Sequence, residues 1–144
     1  MTASRQMTDT NGKDLRYGVS RTIEAPFDEA VERTTAALGA EGFGVLSEIR
    51  IDSKLKEKLG VDFRKYVILG ACNPPLAYRT LQEEIDIGLL LPCNVLVYES
   101  DEAGRCVVAA VKAGAMMSVV GSSPGITEVA SEVDERLSRV LTSI

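Results

Sequence analysis

Two Cys-Asn pairs frame the middle of the chain. Cys72-Asn73 runs straight into Pro74-Pro75, and Cys93-Asn94 follows Pro92. The sequence has no His, so the thiol is its one uncommon group able to serve as nucleophile, soft metal ligand and redox centre. Three uses are open to such a pair. Both thiols can be small buried hydrophobes, which is the commonest state of a free Cys. They can line a pocket that holds a ligand or substrate. They can also form a redox pair or a thiolate metal site. A closed zinc site needs four ligands and would have to recruit Cys106, Glu99 or Asp86, so no metal is expected. Two thiolates suit Cu(I) better, but the spacing does not demand it.

The neighbours of the thiols carry their own alternatives. Asn73 and Asn94 either brace turns by bonding nearby backbone or orient a polar ligand through their amides. Strand alternation predicts that both face away from the thiols. Glu99 shares a face with Cys93, Val95 and Val97, where it is a solvated strand-end carboxylate or a general base. Lys112 follows the face of Cys106, Val108 and Ala110 and reads as a surface lysine. Met116-Met117 reads as core filling. The candidate ligand-binding set is therefore Cys72, Asn73, Cys93, Asn94 and Glu99. No residue is assigned a catalytic role and no cofactor is assigned. Among the alternatives for Cys72, the N-terminus of a following helix would lower its pKa.

The elements that must position these residues follow from hydrophobic period and turn chemistry. Tyr17, Val19, Arg21 and Ile23 alternate with small residues, which predicts a first strand ending at Ala25-Pro26. Phe27, Ala30, Val31, Thr34, Ala37 and Leu38 recur at helical spacing up to Gly42. A second strand spans 43–51. Leu55 and Leu59, four apart, suggest a short helix closed by Gly60. Tyr66 to Ala71 and Val95 to Tyr98 read as buried strands, with a helix between them opening at Pro74-Pro75. Glu102-Ala-Gly104 is a hairpin turn leading to a strand over 106–111. Ser123 as N-cap and Pro124 at the first helical position open a last helix. Its apolar stripe runs from Ile126 to Leu141. The order β-α-β-(α)-β-α-β-β-α predicts an α+β domain, with an antiparallel sheet covered on one side by two main helices. If the strands ending at Cys72 and starting at Cys93 are antiparallel neighbours, both thiols lie at one end of the sheet.

The bulk composition sets outer limits. The 144 residues carry a net charge of −5, with no Trp, three Phe and four Tyr among 45% hydrophobic residues. One domain with an aliphatic core fits that length. Residues 1–14 are polar and predict a disordered tail before a single domain over 15–144. They contain no apolar stretch of the kind a secretory signal needs. No run reaches the ~20 apolar residues of a membrane span. No Lys/Arg cluster offers a nucleic-acid footprint. Three Cys without a signal point to free thiols in a reducing cytoplasm.

Residues 68–99, Ile-Leu-Gly-Ala-Cys-Asn-Pro-Pro-Leu-Ala-Tyr-Arg-Thr-Leu-Gln through Gly88-Leu-Leu-Leu-Pro-Cys-Asn-Val-Leu-Val-Tyr-Glu99, resemble the family catalogued as domain of unknown function 302. Gly-Phe-Gly-Val-Leu at 42–46, Lys-Leu-Gly-Val-Asp at 58–62 and Met-Met-Ser-Val-Val-Gly at 116–121 extend the resemblance. It covers roughly residues 16–142. The resemblance implies a two-layer α+β fold of the TATA-binding-protein-like kind and a homodimer. It implies no established activity. This chain departs from the family pattern at Lys112-Ala113, where an Asp-Pro pair is usual. The expectation is a cytoplasmic, homodimeric domain that binds a small molecule near the two Cys-Asn pairs. A thiol-dependent enzyme or redox/metal-thiolate protein and a structural interaction domain are the alternatives.

Overall fold

The computed structural model describes residues 14–121 and 123–144. The expected tail, apart from Asp14, lies outside the described residues. Five antiparallel strands form one sheet in the order β1-β5-β4-β3-β2: β1 Gly18–Glu24, β2 Gly44–Arg50, β3 Tyr66–Cys72, β4 Cys93–Glu99 and β5 Arg105–Val111. Among the described residues, five α-helices accompany it: α1 Phe27–Ala40, α2 Ile51–Leu59, α3 Pro74–Glu83, α4 Ala113–Met117 and α5 Pro124–Ser143. The domain is α+β, with the sheet backed by helices.

The strand alternation sorts the sheet into two faces. Val67, Leu69 and Ala71 of β3, Cys93, Val95 and Val97 of β4, and Cys106, Val108 and Ala110 of β5 are all buried. They point at α1 and α5, whose own apolar stripes complete the core. α1 touches β2, β4 and β5. α5 touches β1 and β5 and packs on α1, α3 and α4. The residues between, such as Ile68, Leu96, Val107 and Ala109, face the other way and keep partial exposure.

Three helices rather than two build the covering layer, because α3 also seats Leu76 and Thr80 in the core and packs on α5. Two further elements were not visible as periodicity. A short 3-10 helix, Ile85–Leu90, follows α3, and the five-residue α4 follows β5. Ser123 precedes α5 as expected, but its hydroxyl makes no cap. It donates instead to Glu83 Oε1 at 2.7 Å, tying the start of α5 to the end of α3. Among the described residues, no helix is long and apolar enough to cross a membrane.

Candidate functional site

β3 and β4 are antiparallel neighbours, with Ala71 opposite Cys93 and Gly70 opposite Asn94. Cys72 and Cys93 therefore share one end of the sheet. They do not share a face. Cys93 points into the helical layer with Val95 and Val97. Cys72 follows Ile68 and Gly70 on the other face and is half-buried.

Asn73 corrects the alternation argument. The chain leaves the strand at Cys72, so Asn73 turns inward and is only 8% exposed. Its Oδ1 accepts the N–H of Leu76 at 3.3 Å and caps α3. Its Nδ2 lies against Gly42, where a Cβ would come within 2.9 Å. Gly42 also has φ +87°, so that turn suits glycine on two counts. Asn94 stays on the open side, exposed. Glu99 ends β4 six residues from Cys93, roughly 20 Å away by strand rise, and pairs in register with Cys106. Three of the five candidate residues thus converge, namely Cys72, Asn73 and Cys93. Asn94 and Glu99 do not join them.

The space the three share is small. A cavity of about 20 Å³ is walled by Phe43, Leu76, Pro92, Met117, Val129 and Val133 besides the motif residues. That volume holds about one water, whereas ligand pockets run to ~300–1,000 Å³. Apolar side chains from α3, α4 and α5 have filled the place where the sequence suggested a pocket.

The thiols are held protonated. Burial, then the charges of Cys72 and Asp134, push the Cys93 thiol up to about 11. Burial also raises Cys72. Burial and then Glu99 raise Cys106, with Lys65 opposing. The expected lowering of Cys72 by a helix N-terminus does not occur, because the α3 N-terminus turns a free N–H to Asn73 rather than to sulfur. Among the described residues, no three of His, Cys, Asp or Glu gather as a metal site. Alkylation of the folded protein at neutral pH should be slow at all three thiols, with half-buried Cys72 fastest and Cys93 slowest. Mass spectrometry after a timed iodoacetamide pulse would check this, and fast labelling of Cys93 would contradict it. The raised Cys93 value also fixes a sign. The unfolded thiol ionises first, so stability falls as pH climbs from about 9 towards 11.

A second concavity was missed by the sequence reading. An open groove of about 900 Å³ runs between α4 and α5. Thr127, Ser131, Asp134, Glu135 and Ser138 of α5 supply its polar side, and Met117, Ile126 and Ala130 supply an apolar floor. Asp134 holds α4 in place. Its carboxylate accepts Ala113 N–H at 2.6 Å and Gly114 N–H at 3.0 Å. A proline at position 113 would lack the first of these donors, so Ala113 lets the Asp134 carboxylate anchor the start of α4. Lys112 itself pairs with Asp14. The only sequence sign of the groove was the run of small residues around 113–121, which carries no period.

These elements carry a family signature. The family model for the domain of unknown function DUF302 matches residues 19–144. The chain belongs to the DUF302 family. A solved DUF302 relative, an uncharacterised conserved protein from Bacillus stearothermophilus, is 33% identical. It superposes with a TM-score of 0.78, over 88% of this chain and 96% of its own. No curated protein matches the sequence. Both DUF302 Cys-Asn pairs lie inside the matched span, as do α4 and α5, which form the groove.

Proposed function

We propose that this DUF302 domain is a binding protein that seats a small molecule in the groove between α4 and α5. The reading rests on one observation. Met117 lines both the groove and the cavity of Cys72, Asn73 and Cys93. An unbranched, flexible side chain is thus the partition between an open groove and the motif residues. Swinging Met117 aside would join the two spaces and bring the thiols and Asn73 to the inner wall of a pocket of ordinary size.

The groove favours a ligand that donates hydrogen bonds. Asp134 and Glu135 place two carboxylates there, beside the hydroxyls of Ser118, Thr127, Ser131 and Ser138. The one cation in the lining, Arg139, is engaged by Glu41 at 2.9 Å, and that bond holds the Glu41 carboxyl below its usual range. An amine or polyol with an apolar body fits this balance. Thiol catalysis fits less well, since all three thiols are raised rather than lowered.

The test is a ligand-observed NMR screen of small amines and polyols at millimolar concentration. Ser131 is exposed on the groove wall, so Ser131→Trp should fill the space and leave the melting temperature unchanged. A hit should lose about tenfold or more in affinity, ~1.4 kcal/mol. Binding that survives Ser131→Trp, or a screen without hits, would defeat the proposal.

A further inference from the structure

The segment from Ala113 to Gly121 has few anchors of its own. α4 has five residues, and a 3-10 turn, Ser118–Val120, extends it. Of the residues from Ala113 to Val120 only Ala113 and Met117 are buried, and Val119 stays 77% exposed. A helix this short does not hold itself together in water.

Asp134 supplies what is missing. Its half-buried carboxylate accepts the N–H groups of both Ala113 and Gly114, at 2.6 and 3.0 Å. These are first-turn donors, which no carbonyl within the helix can satisfy. Bonds to an ionised acceptor are roughly twice as strong as neutral ones. Gly114 lets the carboxylate in, since a Cβ there would lie 3.1 Å from Oδ2. At the other end Gly121 has φ +101° and nothing within 4 Å of a would-be Cβ. The segment is pinned at its start and ends on an unpacked glycine. It also carries Met117, the partition between the groove and the motif cavity. The charge of Asp134 reaches Cys93 and helps to raise it, so the pin and the thiol are neighbours.

We infer that α4 is a lid over the Cys-Asn motif and that Asp134 is its latch. Releasing the two N–H groups lets α4 swing on Gly121, draws Met117 out of the core and opens the cavity wall to the groove. Asp134 is thus a positioning residue that controls access to Cys93 through α4. Such a lid rests for its purpose on the ligand seat proposed above. Its opening is measurable without any ligand, so the two can fail separately.

Hydrogen exchange and iodoacetamide labelling of the wild-type chain read the opening together. The amides of Ala113, Gly114, Met116 and Ser118 are bonded to Asp134, Asp134, Lys112 and Gly114 in turn. The slowing of Cys93 labelling, relative to the unfolded chain at the same pH, should match the protection of these four amides. Both should change little in dilute urea, because a local opening exposes little surface. A mismatch overturns the lid, above all a Cys93 that follows the amides of Val133 and Leu137 in α5 and speeds steeply with urea. That result would mean the thiol is reached only by global unfolding.

Two variants then test the latch. Asp134→Ala removes both bonds, whereas Asp134→Asn keeps an acceptor oxygen for the shorter one. Both remove the charge, so any easier ionisation of Cys93 is common to the two. Asp134→Ala should label Cys93 about tenfold faster than wild type, and several-fold faster than Asp134→Asn. A rate that stays at the wild-type value, or that equals the Asp134→Asn rate, would overturn the latch. Should Asp134→Ala not fold, the match or mismatch in the wild type decides alone.

Discussion

Leu69→Ala should lower the stability of the domain by about 3–4 kcal/mol, the most damaging conservative truncation in the sheet. Leu69 is fully buried at the centre of β3. Its register partners are Glu48 on the edge strand and Val95 on β4. Its side chain points at the helical layer, where α1 reaches across β2, β4 and β5. Three methyl or methylene-sized groups would vanish from a position hemmed in by two strands and a helix. The strands cannot close the gap without breaking their ladder, so most of the cavity should persist. With a urea m-value of about 1.5–2 kcal/mol/M, the unfolding midpoint should fall by roughly 2 M. Wild type and variant must be compared at one protein concentration, because any self-association adds to apparent stability. A midpoint within a few tenths molar of wild type would mean that the core relaxes around β3 far more than its burial implies.

That core was legible because its pattern is simple. The continuous apolar run Val95 to Tyr98 marked β4 as a buried strand and the 102–104 turn marked β5 as its return; the structure adds the alternation that turns Val95, Val97, Val108 and Ala110 to the helices. α5 was legible for the same reason, from Ile126 to Leu141. Gly60 closed α2 as expected, with φ +69°. The misses have a common physical origin. α4 and the 3-10 helix over Ile85–Leu90 are each too short to show a repeat, and they are fixed by contacts from distant residues. For α4 the contact is the Asp134 carboxylate, 21 residues from Ala113. Nothing local to either residue announces it.

The candidate site divides along the same line. The shared end of Cys72 and Cys93 followed from antiparallel pairing. Their opposite faces did not, because they depend on the register, in which Ala71 rather than Cys72 stands opposite Cys93. The size of the cavity could not be read at all, since it is set by side chains from α3, α4 and α5 that meet only in three dimensions. The groove was invisible because its polar wall is the solvated side of α5, and a solvated side looks the same whether or not a neighbouring helix stands opposite.

The two Cys-Asn motifs also depend on each other in a way that yields a sharp expectation. Gly70 opens the first motif and Pro92 opens the second. A Cβ on Gly70 would lie 2.8 Å from Pro92 Cγ and 2.4 Å from Ser47 Oγ. Both are closer than real side chains come. Ser47 can rotate its hydroxyl away at little cost, but the proline ring cannot fold out of reach. Gly70→Ala should therefore cost about 2–3 kcal/mol, the range of overpacking in a rigid site. Ala is otherwise favoured over Gly within a strand by roughly 0.5–1 kcal/mol, so the sign itself is diagnostic. A double-mutant cycle with Ser47→Ala separates the two contacts. If Pro92 dominates, the cost of Gly70→Ala should fall by well under half in the Ser47→Ala background. Gly44, on the neighbouring edge strand with nothing within 4 Å of its would-be Cβ, is the control, and Gly44→Ala should be neutral or slightly stabilising. A neutral Gly70→Ala would show that Pro92 gives way. The first motif would then need its glycine for some reason other than the seat it provides for the second.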